Sequence, residues 1–169
     1  FNAGSELDVD SVTISAFLNT DTSASFAAIT WLIIEWNTGK RKPTFIGLMT
    51  GAVAGLATIT PAAGYVTIGT SALIGVMAGL VCYQAVAFKN KMKWDDALDV
   101  WGVHGVGGIF GTILLGLFAT TTINPATSNG LFYGGGFTLL IKELSALLMA
   151  VVWASAFTWG MLHVIDKYV

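Results

Sequence analysis

His104 is the residue best suited to chemistry in this sequence. It lies in an otherwise apolar run beside Gly105, Gly107 and Gly108, and an ionisable residue inside such a run is a functional candidate by default. An imidazole accepts and donates protons near neutral pH. Two interpretations stay open: a ring that lines a pore, or a buried ring that bonds a neighbouring helix. The glycines would let another helix or a second imidazole come very close.

Three carboxylates precede His104 at the start of the same run, and they are Asp95, Asp96 and Asp99. The N-terminal end of a helix favours negative charge, and Asp95 or Asp96 is suited to cap it. We therefore predict that these residues orient the helix. The alternative for Asp99 is that it raises the local negative potential and helps cations enter or leave.

Other polar residues lie within or near the apolar runs. The first run carries a cluster that we expect to bond neighbouring helices rather than face a water-filled cavity; its members are Asn19, Thr20, Asp21, Thr22, Ser23 and Ser25. Lys142 and Glu143 are expected to reach the interface or to pair across a subunit contact. Glu35 and His163 are expected at the membrane interface.

Enzyme chemistry has little support in this sequence. Two His and a single Cys cannot form a disulfide framework or a zinc cluster within this chain. Cys82 lies in an apolar run and is predicted to be a small buried residue. Since no nucleophile–base pair or metal-ligand cluster has usable spacing, we predict no enzyme activity, no cofactor and no metal.

The composition excludes a water-soluble globular domain. Hydrophobic residues make up 54% of the chain and charged residues 11%, whereas a soluble domain has about 25% charged residues. The mean hydropathy is +0.73. A net charge of −2 gives no reason to propose nucleic acid as a partner. We predict a polytopic membrane protein.

Five apolar segments are long enough, or nearly so, to cross a bilayer as helices, which requires about 20 residues each. They are Val12 to Trp36, Thr44 to Pro61, Val66 to Phe88, Ala97 to Thr120 and Tyr133 to about Val164. The predicted fold class is therefore all-α, with about five transmembrane helices in a single domain over residues 1–169.

The basic residues predict the orientation of these helices. They follow the first, third and fifth segments, at Lys40, Arg41 and Lys42, at Lys89, Lys91 and Lys93, and at Lys167. The connections around Gly64 and Asn124 contain no Lys or Arg, and only Lys142 departs from the pattern. By the positive-inside rule the N-terminus lies outside and the C-terminus in the cytoplasm.

Small residues repeat at helical spacing and predict close helix packing. The stripes are Gly47, Gly51 and Gly55, then Gly75 and Gly79, then Gly108, Thr112 and Gly116. The run from Gly105 to Gly111 also resembles a dinucleotide-binding fingerprint. That motif has meaning only after a strand in a βαβ unit, so we reject it here.

Three motifs in this order resemble the ammonium transporter (Amt/Rh) family. They are Phe1-Asn2-Ala3-Gly4-Ser5, Ile59-Thr60-Pro61-Ala62-Ala63-Gly64, and the stretch from Asp95-Asp96 through Asp99-Val100-Trp101 to His104-Gly105. The family fold has eleven spans in inverted repeats, and the chain resembles its C-terminal half, from the end of span six to span eleven. The opening at Phe1, without Met or a basic leader, also predicts a fragment.

The resemblance implies specific roles at matching positions. Phe1 matches a gating Phe at the external mouth, and Ser5 matches a hydroxyl that recruits ammonium there. His104 matches the second of two pore-lining His, while Asp96 and Asp99 match carboxylates at the cytoplasmic start of that span. The first His, the other Phe, the aromatic cage and an acidic residue would belong to the missing N-terminal half.

The function implied is ammonium transport across the cell membrane by a homotrimer. Ammonium would be recruited at the mouth, lose a proton, and pass as ammonia along imidazoles, which excludes potassium. One alternative is an ammonium-sensing membrane domain coupled to a signalling partner. Another, outside the family, is a structural membrane subunit in which His104 is merely buried.

Overall fold

The computed structural model describes residues 1–38 and 42–168, so the predicted basic residues Lys40 and Arg41 lie outside the described part. Within it every regular element is helical, which confirms the fold class. The five long helices are α1 Ser11–Asn37, α2 Phe45–Ile59, α3 Ile68–Met92, α4 Gly107–Phe118 and α5 Thr138–Tyr168, with 3₁₀ helices at Gly4–Glu6, Thr60–Ala62 and Leu131–Tyr133 and a π-helical turn at Trp101–Val106.

Four helical segments of the described chain are long and apolar enough to cross a membrane, namely Phe45–Ala62, Ile68–Met92, Trp101–Phe118 and Thr138–Tyr168. The first predicted span, α1, is not among them. Its 27 residues would extend about 40 Å, but the polar stretch from Asn19 to Ser23 lowers its hydropathy. Length therefore permits α1 to cross, although its composition is less apolar than that of the other four.

Polar side chains accept hydrogen bonds from the N–H groups that open the first helices. Asp10 accepts from Val12 and Thr13 at the start of α1, Thr44 accepts from Gly47 at the start of α2, and Thr67 does the same for α3. These groups have no partner within the helix, and Asp and Thr are favoured there because their oxygens supply one.

The first two glycine stripes pack as predicted. A Cβ at Gly55 would lie 2.5 Å from the Ser23 carbonyl of α1, and one at Gly79 would lie 2.8 Å from Thr30 Cβ. Gly51 lies against Trp31 in the same way. Since such separations are shorter than carbon contacts allow, α1 fits between α2 and α3 only because these positions lack side chains.

The prediction of close packing for the third stripe is partly wrong. Gly107 and Gly111 approach Thr58 of α2, whereas a Cβ at Gly108 would meet nothing within 4 Å. Gly116 does pack, against Leu140 of α5. The prediction took every fourth residue starting from Gly108, but the face of α4 that packs against α2 carries Gly107 and Gly111 instead.

The start of the fourth span also differs from the prediction. It was expected from Ala97, but helix begins at Trp101 with the π-helical turn. Asp99 has a φ of 55°, in the left-handed region, and this conformation interrupts any helix that would begin at Ala97. We call the segment Trp101–Phe118 the fourth span.

The connections alternate between the two ends of the bundle. At one end the Thr120 N–H donates to the Tyr65 carbonyl at 2.9 Å, and Asn2 donates to Thr60 at 3.4 Å. At the other end a cavity of about 560 Å³ is lined by residues that include Thr38, Lys42, Asn90 and Asp99. The basic connections therefore share one end, as predicted, although α3 extends to Met92 and so includes Lys89 and Lys91.

Candidate functional site

His104 lies in the π-helical turn Trp101–Val106, before α4. Its neighbours Gly102 and Val103 are buried, while His104 and Gly105 are exposed. A Cβ at Gly102 would lie 2.8 Å from Val86 of α3, so the backbone of this turn is pressed against α3 on one side. The π-helix is rare and occurs mostly as a single turn, often at functional sites.

The packing of Val103 fixes the depth of His104 in the bundle. Val103 belongs to a buried cluster with Ala54 of α2 and Val86 of α3. At a rise of 1.5 Å per residue, Ala54 lies about 13 Å along α2 from Phe45, and Val86 lies about 9 Å from Met92. His104 is therefore well inside the helical layer, even though its own helix begins only at Trp101.

The imidazole of His104 has an open environment in this chain. It makes no hydrogen bond or ion pair with any residue in the ranges 1–38 and 42–168, and it is exposed. Gly108, four residues after His104, has nothing within 4 Å of an added Cβ. The alternative of a buried His bonded to a neighbouring helix thus has no support among the described contacts.

Asp96 and Asp99 organise the turn that leads to His104. The Asp96 carboxylate accepts hydrogen bonds from the N–H groups of Val100 and Trp101, both at 2.9 Å, but Val100 holds the N-cap position that was predicted for Asp95 or Asp96. Asp99 Oδ1 lies 2.6 Å from Lys89 Nζ. This pairing favours the structural interpretation of Asp99 over the alternative of a carboxylate that guides cations.

Lys89 is the residue of this region that sequence reasoning missed. It was assigned to a connection, but it lies in the last turns of α3 and is 5% exposed. Its Nζ donates to the Asp96 carbonyl at 2.7 Å as well as to Asp99. The only signal in the sequence was that Lys89 directly follows a long apolar run, without a turn residue between them.

Phe1 and Ser5 lie together at the opposite end of the bundle. Ser5 Oγ donates to the Phe1 carbonyl at 3.2 Å, and the Phe1 side chain is fully exposed. The Asn2 amide donates to Thr20 of α1 at 3.0 Å, which ties this segment to the bundle. The structure thus brings Phe1 and Ser5 close to each other, at the far end from Asp96 and Asp99.

Two members of the predicted polar cluster of α1 bond neighbouring backbone, whereas Asp21 and Ser25 are exposed and Thr20 donates to the Ala16 carbonyl of its own helix. Asn19 is 2% exposed, and its amide donates to the carbonyls of Ala63 and Val66 at 2.8 and 2.7 Å. Ser23 donates to the Gly55 carbonyl of α2 at 3.0 Å. The expectation that these residues join helices is confirmed for both.

The remaining polar predictions have mixed outcomes. Cys82 is buried, as expected. Glu35 accepts from the Thr44 N–H at 2.7 Å, so it bonds the start of α2 as well as lying near a helix end. The His163 ring stacks on Trp159 with centroids 5.0 Å apart. Lys142 is exposed and Glu143 half-buried, and their proposed pairing across a subunit contact stays a prediction.

Comparison with known proteins adds an independent finding. The sequence profile of the Ammonium Transporter Family matches residues 1–169. The ammonium transporter of Bacillus subtilis (strain 168) is 43% identical over 169 residues, which cover 99% of this chain and 41% of that protein. Ammonium transporter Amt1 of Archaeoglobus fulgidus is 40% identical, with 100% of this chain and 42% of that protein covered.

A solved structure is also similar to this chain in its fold. The crystal structure of Saccharomyces cerevisiae Mep2 matches with a TM-score of 0.92 at 31% identity, over 98% of this chain and 39% of that chain. The chain therefore spans about two fifths of the length of these relatives. With its whole length matched by the family profile, the chain belongs to the ammonium transporter family.

Proposed function

We propose that residues 1–169 form one part of an ammonium transporter domain and supply one wall of its pathway. The observation that carries this proposal is the exposed imidazole of His104, held at membrane depth by the buried Val103 beside it. A ring that is exposed and makes no hydrogen bond within the described chain is free to meet a permeant. The rest of the pathway would come from the N-terminal half of the same fold.

The mouth of the pathway would lie at the end that carries Phe1 and Ser5. Ammonium is a small cation with four N–H donors, which suit aromatic faces and hydroxyl acceptors. The Ser5 hydroxyl uses its proton on the Phe1 carbonyl, so its oxygen lone pairs stay available to accept. The basic residues at the other end favour a cytoplasmic location for it by the positive-inside rule, so the mouth would face outside the cell membrane.

Selectivity would follow from the low polarity of the interior. Moving a charged ion through an apolar passage is unfavourable by several kcal/mol or more, so loss of a proton at the mouth lowers the barrier. Neutral ammonia then passes along imidazoles, which offer hydrogen bonds and a separate proton route. Potassium has no proton to lose and is excluded.

Replacement of His104 tests this assignment in the full-length polypeptide that includes these residues. His104→Ala is expected to lower methylammonium uptake by about ten-fold, equivalent to ~1.4 kcal/mol in the limiting barrier. His163→Ala is the matched control, because it removes the other imidazole at an exposed position of α5. Uptake that stays unchanged and pH-insensitive in His104→Ala would contradict the proposal.

The same experiment addresses the competing interpretations. A structural membrane subunit, in which His104 only packs, would show no uptake that depends on this ring. The sensing alternative is not favoured: the two curated relatives described above are named as transporters, and the solved structure of a sensor Amt protein matches with a TM-score of 0.80, lower than that of Mep2. The homotrimer is proposed on family resemblance alone, and its mass in mild detergent checks it.

A further inference from the structure

Lys89 is a buried cation near the C-terminal end of α3. Taking an ammonium group out of water is strongly unfavourable unless it is paired and hydrogen-bonded, and Lys is almost never fully buried otherwise. Lys89 is 5% exposed, with donors directed to Asp99 Oδ1 at 2.6 Å and to the Asp96 carbonyl at 2.7 Å. The two contacts join α3 to the segment before the π-helical turn.

The segment that Lys89 holds leads directly to His104. The Asp99 carbonyl accepts from the Val103 N–H at 2.9 Å, and the Asp96 carboxylate accepts from Val100 and Trp101. Lys89 therefore binds both ends of the turn from Asp96 to Asp99. From Lys89, one ion pair and one backbone hydrogen bond reach the residue beside His104.

The conformation of this turn needs support from outside the helix. Asp99 has a φ of 55°, a region that non-glycine residues rarely adopt and that Asp tolerates better than most. The adjoining turn has π-helical rather than α-helical hydrogen bonding. If it relaxed to α-helix, the change from i→i−5 to i→i−4 bonds would rotate His104 relative to the buried Val103.

We propose that Lys89 is a positioning residue for His104, because it fixes the Asp96–Asp99 turn from which the π-helical turn begins. This inference rests on the proposed function, in which His104 lines the pathway. Lys89 itself does not touch the permeant. It acts at a distance through Asp99, and misplacement of a working group by about 1 Å can lower a rate by up to ~100-fold.

The test compares three single variants by methylammonium uptake per molecule at the cell surface. Lys89→Met removes the charge with similar length and is expected to lower the maximal uptake rate by about ten-fold. The half-saturating concentration should change little, because recruitment is proposed at the opposite end. Lys89→Arg should restore most of the rate. Lys91→Met is the matched control, an exposed lysine of the same helix, and should leave the rate unchanged.

A double-variant cycle separates positioning from stability. If Lys89 acts through His104, Lys89→Met adds no further loss of uptake in the His104→Gln background, while it lowers thermal stability equally in both backgrounds. An equal loss of uptake in both backgrounds would overturn the inference. A silent His104→Gln would instead contradict the proposed function, so the two failures are distinguishable.

A milder variant keeps the test decisive if Lys89→Met does not reach the membrane. Asp99→Asn retains the size, an acceptor for Lys89 and tolerance of the left-handed conformation, but removes the charge of the pair. We expect uptake to fall by about three-fold or more, because a neutral acceptor bonds a cation more weakly. This reduction should disappear in the His104→Gln background. Full uptake in Asp99→Asn would overturn the inference.

Discussion

The fourth span presents two faces that the sequence does not distinguish. On the packed face, Gly102, Gly107 and Gly111 approach α2 and α3 so closely that an added Cβ would collide. On the open face, His104 is exposed and Gly108 has free space around it. The same residue type, glycine, serves helix packing on one face and leaves room beside an imidazole on the other.

A similar contrast holds for polar residues at membrane depth. The Asn19 amide has two backbone carbonyl partners in the α2–α3 connection, where the chain leaves the helix and its carbonyls need donors. The His104 ring has none in the described parts of the chain. A polar residue inside a span can therefore be either structural or functional. Whether its hydrogen-bonding groups have partners within the protein distinguishes a structural residue from a candidate functional one.

The largest effect is expected on the packed face, from Gly111→Ala. A Cβ there would overlap the backbone carbonyl of Thr58, which cannot move without bending α2. We expect a loss of about 3 kcal/mol in the free energy of unfolding, measured by reversible unfolding in mixed detergent.

Gly108→Ala is the matched control, three positions away on the same helix. With nothing within 4 Å of its Cβ, it should be neutral, or stabilising by up to ~1 kcal/mol through helix propensity. If both variants lost the same stability, the distinction between the packed and open faces would be wrong.

A smaller effect is expected from Asn19→Leu, which keeps the volume but removes both hydrogen bonds. The carbonyls of Ala63 and Val66 would lose their donor in a buried site, which should destabilise the protein by about 2 kcal/mol. Ser25→Ala, an exposed position of the same helix, is the control. A neutral Asn19→Leu in the same unfolding measurement would show that this amide is dispensable.

The helices themselves were predictable because apolar length determines them. All five long helices overlap their predicted segments. The glycines facing α1 were also predictable, since spacing of four along a helix keeps residues on one face.

The region around His104 was less predictable, for a physical reason. Two series of small residues run along α4 with the same spacing of four, Gly107–Gly111 and Gly108–Thr112–Gly116, so spacing alone does not tell which of them faces α2. Lys89 was missed because hydropathy treats every lysine as solvated, whereas its burial depends on Asp99, ten residues later and in a left-handed conformation. Tertiary pairing of this kind is not encoded in local pattern.

The smallest effect is expected from His104→Gln when stability is measured instead of transport. The ring has no described partner to lose, and Gln occupies a similar position with a polar end, so the free energy of unfolding should change by less than ~0.5 kcal/mol. The loss of stability of Asn19→Leu, measured in parallel, is the reference against which the change in His104→Gln is judged. A His104→Gln variant that lost as much stability as Asn19→Leu would place the imidazole among the structural residues, and the contrast between the open and packed faces would no longer identify a site. A variant that unfolds like the parent yet transports poorly would assign the effect of this ring to the passage of substrate.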